Sequence, residues 1–357
     1  MSSSQIAVDS HASTSGPRTI KLLVWDLDNT LWHGTLLEDD RVRLRDGVPS
    51  ILRTLDERGI LNSIASKNEP SLAMAKLAEF GIQDYFLVPQ INWNSKAANV
   101  QSIVEALNIG LDSVAFVDDE PFEREEVKHS LTSVLTLHPG EVERILERPE
   151  FIPPFITDES ALRRRMYLAD ITRKQAESDF IGPGEAFLAT LGMSLTISPA
   201  QEVDLKRAEE LTLRTHQLNT TGDTYSYDEL NAFRQSPNHL LLIAGLDDRF
   251  GSYGKIGLAL VEKGTGVWRI KLFLMSCRVM SRGVGTIFMN HVLMLARDAG
   301  VRLVAPFRST GRNRIMLITY KFGGFREIER ADDLILLEHD LVSIQPHPRY
   351  VNLRIGA

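Results

Sequence analysis

Between residues 19 and 137 short apolar, often β-branched runs alternate with longer segments whose apolar positions recur at helical spacing. Residues 20–25, 60–65, 85–88 and 114–117 are of the first kind and read as strands. Residues 49–58 and 70–80 are of the second, and Gly59 and Gly81 stop them. Such alternation describes a doubly wound parallel sheet covered by helices on both faces. A Pro-bearing stretch, 149–154, then leads into a highly charged helical pattern over about 159–179, which marks a boundary. Beyond Gly182 a helix near 202–214 precedes extended segments at 240–244, 254–262 and 267–274, and this fits a mixed α/β unit with an antiparallel sheet. The expected fold class is α/β, a Rossmann-like parallel sheet followed by a mixed α/β domain. The expected division is a disordered tail at 1–18, the parallel-sheet domain at 19–150, a linker and charged helix at 151–182, the mixed domain at 183–345 and a C-terminal tail at 346–357.

With 357 residues the chain is long enough for two domains with full cores. Its formal net charge of -7 argues against nucleic acid as a partner, because a phosphate backbone calls for a basic face. No apolar run approaches the roughly 18 to 20 residues that cross a bilayer, so no membrane association is expected. The Ser-rich N-terminus lacks the apolar core of a secretory signal. A single cysteine rules out an internal disulfide and fits a reducing cytoplasm.

The candidate chemistry begins where the first strand ends. Asp26 and Asp28 stand two residues apart directly behind the run 20–25, where side chains of an open α/β sheet point into the ligand crevice. Two carboxylates held so close call for a divalent cation, Mg²⁺, or for one of them to stay protonated. The pair supplies a nucleophile and an acid, and the chemistry that fits is phosphoryl transfer through an aspartyl phosphate. Ser66 follows the second apolar run, Lys96 opens a helical pattern after the third, and Asp118 with Asp119 ends the fourth.

This order, DxDxT, then Ser, then Lys, then Asp-Asp, resembles the haloacid dehalogenase superfamily. The resemblance implies that Asp26 is the nucleophile and Asp28 the general acid/base. It implies that Thr30 and Ser66 hydrogen-bond the phosphoryl oxygens, with Lys67 and Asn68 beside them, and that Lys96 neutralises the aspartyl phosphate. Asp26, Asp28 and either Asp118 or Asp119 would hold Mg²⁺. Members acting on small molecules often carry a cap domain after the first or second motif. Here thirty-six positions separate Thr30 from Ser66 and thirty separate Ser66 from Lys96, which a helix and a strand consume in each case. The site is therefore expected to be capless and open, suited to a phosphate on a macromolecule or to closure by the second domain.

In the second half, residues 273–285 run from a strand into a helix through Cys277, Arg278, Arg282, Gly283 and Gly285. Backbone amides at a helix start with guanidinium groups nearby make a place for phosphate. The arrangement resembles the coenzyme A pyrophosphate loop of GNAT acyltransferases, although Met280 stands where that pattern has Arg or Gln. A lone cysteine is most often a small buried hydrophobe, but beside Arg278 and near a helix N-terminus Cys277 is a candidate thiolate nucleophile. The capless phosphatase-like half, the phrase from Arg214 through Thr215, His216, Gln217 and Leu218 to Asn219, and the SCRV element together resemble FkbH-like proteins over about residues 21–327. These are glyceryl transferase/phosphatases of polyketide pathways.

That resemblance implies conversion of 1,3-bisphosphoglycerate to a glyceryl thioester on the phosphopantetheine arm of an acyl carrier protein, with Cys277 and Asp26 both taking part. His216, where the family commonly has Asn, is a candidate base, with His291 behind it. Asn219, Thr220 and Thr221 either cap a turn or hydrogen-bond the glyceryl hydroxyls. Arg308, Arg312 and Arg314 around Gly311 are either a solvated face or a phosphate clamp. Two other readings stand beside this one: a plain Mg²⁺-dependent phosphatase or phosphotransferase with a non-catalytic second half, and a binding module that keeps the fold without the chemistry.

Overall fold

The computed structural model describes residues 18–39, 41–215, 218–311 and 313–356. The expected N-terminal tail thus lies, but for its last residue, outside the described residues. Two compact units divide between Arg164 and Arg165, inside the charged helix α5 (Asp158–Ser178).

In the first unit, apolar runs become strands β1 (Leu22–Trp25), β4 (Leu61–Ser66), β5 (Gln90–Ile91), β6 (Val114–Val117) and β7 (Leu135–Leu137). They form one parallel sheet in the order β5-β4-β1-β6-β7. All four residues of β1 are buried, as a central parallel strand requires. A two-residue ribbon of β2 (Trp32–His33) and β3 (Arg43–Leu44) follows β1. Helices α1 (Val48–Glu57), α2 (Pro70–Glu79), α3 (Lys96–Leu107) and α4 (Pro121–Ser130) supply the crossovers. The prolines that open α2 and α4 occupy first-turn positions, where a missing N–H costs nothing. Gly59 and Gly81 end the first two helices at φ +70° and +68°. Among the described residues, nothing larger than the β2/β3 ribbon and α1 lies between Thr30 and Ser66, or larger than α2 and β5 between Ser66 and Lys96, so no cap is inserted.

One strand expectation is corrected. Residues 85–88 do not form a strand: Gln83–Tyr85 is a 3₁₀ turn, Val88 sits at φ +49°, and the edge of the sheet is β5. Ser63 Oγ donates to the Leu87 carbonyl at 2.6 Å, which holds this segment beside β4 while Pro89 redirects it.

The second unit is built on an eight-stranded mixed sheet with the order β13-β14-β12-β11-β10-β9-β8-β15. Its strands are β8 (Met193–Pro199), β9 (His239–Asp248), β10 (Gly251–Lys263), β11 (Val267–Met275), β12 (Arg302–Arg308), β13 (Arg326–Ala331), β14 (Leu334–His339) and β15 (Val351–Ile355). Most pairs are antiparallel, as expected, but β11 with β12 and β15 with β8 are parallel. The expected C-terminal tail, 346–357, is therefore corrected as well, because residues 351–355 pair along β8 and protect that edge. Helices α7 (Leu205–Arg214) and α8 (Tyr227–Gln235) cover one face through Leu205, Ala208, Leu211 and Leu230. Helices α9 (Val284–Asp298) and α10 (Arg314–Phe322) bury Ile287, Phe288, Val292, Met316 and Tyr320 in the other core, beside the short α6 (Gly184–Thr190). The fold class is thus the one expected, a capless parallel α/β unit followed by a mixed α/β unit.

The sheet is split where β11 leaves β12. The two pair only over Val267–Arg269 and Arg302–Val304. Beyond that point residues 218–220 enter the gap: Met275 N donates to the Leu218 carbonyl, Thr220 N to Phe273, and Arg308 N to Thr220, at 3.1 to 3.2 Å. Asn313, fully buried, pins the insert, its Nδ2 donating to the carbonyls of Asn219 and Arg308 at 2.9 Å each while its Oδ1 accepts from Thr310 N. Replacing Asn313 by Ala strands three backbone groups and should cost about 2–3 kcal/mol in urea unfolding of this unit; a loss below about 0.5 kcal/mol would show that the insert is held by other means.

Candidate functional site

Strand order reverses at β1, with β4 on one side and the later β6 on the other, so the carboxyl ends of β1 and β6 border the crevice of the first sheet. Asp26 follows β1 and Asp118 follows β6. Chain reversal after β1 needs a left-handed residue, and Asn29 supplies it at φ +50° while its Oδ1 accepts from Gly34 N. The loop so closed returns Thr30, fully buried, towards the sheet. There its hydroxyl accepts from Asp119 N at 3.0 Å and lies 3.2 Å from Asp119 Oδ1.

Lys96 lies at the centre. It is the first residue of α3, whose N-cap Ser95 accepts from Ala98 N at 3.2 Å. A cation at that helix end is opposed by the macrodipole and by burial. Its ammonium is held nonetheless, because Nζ pairs closely with Asp26 Oδ1, with Asp118 Oδ2 at 3.1 Å and with Glu123 Oε2 at 3.0 Å, and donates to the Ala65 carbonyl at 3.0 Å. Although burial works against the charge, these three acids carry the Lys96 ammonium above its ordinary range. Burial pushes the Asp26 carboxyl up, partly offset by Lys96 and by a hydrogen bond from Ser66. Burial and the neighbouring Asp26 push Asp118 up to about 7. Burial also opposes ionisation of Glu123, yet its pairs with Lys96 and Lys67 hold it below the usual carboxylate range.

Oxygens of Asp26, Asp118 and Asp119 all lie within 4.8 Å of one another. Asp118 Oδ2 is sealed from solvent and has no aligned hydrogen bond, only the ion-pair approach of Lys96. A hard divalent cation fits this donor set, three carboxylates on converging strand ends. Asp28 stands apart from the group: its carboxylate accepts from Trp32 Nε1 at 2.8 Å, Leu36 N at 3.0 Å and Asn68 Nδ2 at 2.9 Å. Those donors fix its orientation beside the crevice. Asn68 also accepts from Glu69 N, and Lys67 reaches Glu123 at 2.8 Å. Glu123 is the residue sequence reasoning missed. Its signal was available, since a carboxylate in the first turn of a helix that follows Asp118 and Asp119 by only a few residues points back to the strand end.

In the second unit, Leu218, Phe273, Met275, Met280, Gly283 and Ile315 are among the residues around a mainly apolar cavity of about 170 Å³ beside the split in the sheet. Gly283 caps α9 at φ +72° without a side-chain cap, and a Cβ there would meet the Tyr350 hydroxyl at 2.7 Å. Arg282 is buried; Nη2 pairs with Glu177 at 3.1 Å, whereas Nε and Nη1 find no hydrogen-bond partner. Arg278 instead donates to the Tyr253 carbonyl at 2.9 Å, a structural tie. Asn219 caps its own turn, accepting from Thr221 N and Gly222 N and donating to Asp223. Cys277 opens a 3₁₀ turn, Cys277–Val279, and its side chain is not among those described. His216, like Arg312, lies outside the described residues. On α9, His291 is held below its ordinary range by burial and by His347. No described helix is long and apolar enough to cross a membrane.

No protein-family model matches the sequence, and no curated protein matches it. Among solved structures, the N-terminal part of a Bacteroides fragilis protein containing a phosphatase domain complexed with Mg is similar at 28% identity over 38% of this chain, with a TM-score of 0.35. The chain covers 41% of that structure's length. The ribosomal-protein-S18-alanine N-acetyltransferase of Escherichia coli is similar at 17% identity over 41% of this chain and 92% of its own, with a TM-score of 0.33. Ard1 of Thermoplasma volcanium is similar at 16% identity over 41% and 96%, with a TM-score of 0.32.

Asp118 must lose a proton for all three acids to meet a cation, and its midpoint near 7 sets the sign of the pH dependence. Mg²⁺ or Mn²⁺ affinity, measured calorimetrically, should rise about tenfold from pH 6 to pH 8 with uptake of the metal releasing close to one proton at pH 6. Asp118→Asn should flatten that dependence; an unchanged slope would remove Asp118 from the cation site.

Proposed function

We propose that this protein is a Mg²⁺-dependent phosphatase joined to an acyltransferase, and that it converts 1,3-bisphosphoglycerate to a glyceryl thioester on the phosphopantetheine arm of an acyl carrier protein. The observation that carries the phosphatase half is the cluster of Asp26, Lys96, Asp118 and Asp119 at the ends of adjacent parallel strands. Asp26, Asp118 and Asp119 would hold Mg²⁺, which when bound supplies charge neutralisation for the phosphoryl oxygens.

The chain's own residues supply the rest. An Asp26 oxygen attacks the phosphorus, and the ester oxygen leaves with a proton from Asp28, which the Trp32, Leu36 and Asn68 donors hold in a fixed orientation. Asp28, now a base, takes a proton from water as it attacks the aspartyl phosphate, and inorganic phosphate departs. Lys96 remains charged throughout and balances the acids it touches. Thr30, Ser66, Lys67 and Asn68 line the phosphoryl side of this reaction.

Acyl transfer belongs to the second unit. The split between β11 and β12 and the apolar cavity beside it favour a slender pantetheine arm, and Arg282 with the α9 N-terminus at Gly283 favours its phosphate. A Cys277 thiolate attacks the acyl phosphate carbonyl and expels inorganic phosphate. The resulting thioester then passes to the carrier thiol, which returns the cysteine thiolate. His216 is retained as candidate base. A reaction that runs through a free thiolate belongs in a reducing compartment, and we place it in the cytoplasm.

The experiment weighs both proteins intact after incubation with Mg²⁺, 1,3-bisphosphoglycerate and a holo-carrier. The carrier should gain a glyceryl unit. Cys277→Ala should abolish acyl-enzyme and loading, while Asp26→Asn should slow phosphate loss about a thousandfold or more and leave a phosphorylated acyl species. If no mass is gained on either protein, acyl transfer is not the function; if loading survives Cys277→Ala, the covalent relay is wrong.

A further inference from the structure

Helix α10 turns Met316 and Tyr320 into the core, and its opposite face should by the usual amphipathic rule be polar. It is not. Ile315, Ile318 and Phe322 follow one another at helical spacing on the solvent side, exposed by 38%, 43% and 78%. Met280, exposed by 49%, borders the same cavity as Ile315. Single exposed apolar residues are ordinary, but a stripe in helical register beside a cavity mouth is the form of a surface that another helix covers.

The charges around the stripe narrow the partner. The other exposed residues of α10 are Arg314 and Lys321, and the helix contains no acid at all. An apolar centre with a cationic rim complements a partner whose apolar helix face is edged by carboxylates. The adjoining cavity of about 170 Å³ is too small for a folded element and suits a thin, flexible chain. We infer that the outer face of α10, together with Met280, docks an acidic helical carrier domain and thereby delivers its thiol-bearing arm to the cavity. This inference rests on the acyl-transfer reading above, and adds to it the surface by which the carrier is recognised.

The test uses binding, which needs neither acyl donor nor Mg²⁺ and so stands apart from turnover. A fluorescently labelled holo-acyl carrier protein is titrated with the full chain and with Ile318→Glu, Phe322→Glu and Arg314→Glu/Lys321→Glu, each checked for its native circular dichroism and Tm; free pantetheine is titrated in parallel. Either apolar change should weaken carrier binding at least about tenfold and leave pantetheine binding unchanged, as expected for a rim contact outside the cavity. The double charge reversal should weaken carrier binding at low salt and flatten its salt dependence. Equal carrier affinity in wild type and Phe322→Glu, or no carrier binding by wild type, would overturn the docking face. So would sedimentation showing a dimer that Phe322→Glu dissolves, or binding to anionic vesicles lost in the same variants, since either names a different occupant. Carrier binding that follows this pattern without any loading would reject the chemistry proposed above and keep the docking face; loading with unchanged affinities would do the reverse.

Discussion

A buried ammonium surrounded by more acid than it can balance is the constraint on which the first unit turns. Lys96 meets Asp26, Asp118 and Glu123 at once, in a place where burial and the α3 dipole both oppose a cation. Removing water makes each charge expensive alone, so the four groups persist only together. Even together they are unbalanced, for Lys67 reaches only Glu123, and burial together with the neighbouring Asp26 pushes Asp118 up to about 7. A surplus of carboxylate beside one ammonium is a donor set that a divalent cation would fit.

In the second unit the equivalent constraint is a failure of pairing. Strands β11 and β12 begin as parallel neighbours and then part, which would leave backbone donors and acceptors of both without partners. Residues 218–220 satisfy them, and Asn313 holds that insert from the far side. The insert also sets the wall of the apolar cavity, through Leu218. Arg282 is treated differently: two of its three nitrogens are buried without a hydrogen-bond partner just before α9, a costly state.

Much of this arrangement is legible in the order of residues along the chain. The strands that lead to Asp26 and Asp118 are short and wholly apolar, the one that ends at Ser66 is buried throughout, and the prolines and glycines around them punctuate the helices in the expected places. Lys96 is legible as a site residue because a helix start follows an edge segment. What fails are the segments whose local pattern is overruled. Residues 85–88 look like a strand, yet Pro89, the positive φ of Val88 and the Ser63 hydroxyl draw the chain into a turn. Residues 351–355 look like a tail until β8 offers an open edge. Of the two roles open to Asn219, capping a turn is the one its hydrogen bonds show. One Arg278 nitrogen donates to the Tyr253 carbonyl, a tie that no local pattern announces.

The amino-acid sequence by itself determined the two fold types, the order of the acidic and basic motifs and their places at strand ends, because periodicity of two or 3.6 and Gly or Pro punctuation are local properties. Only the tertiary structure decided which of those residues meet: that Glu123 joins Lys96, that Asp28 is bound by Trp32 and Asn68 apart from the cation cluster, and that α10 leaves its apolar stripe in solvent. Such choices depend on distances between elements far apart in the chain and on which groups lose water together, and no local pattern encodes either.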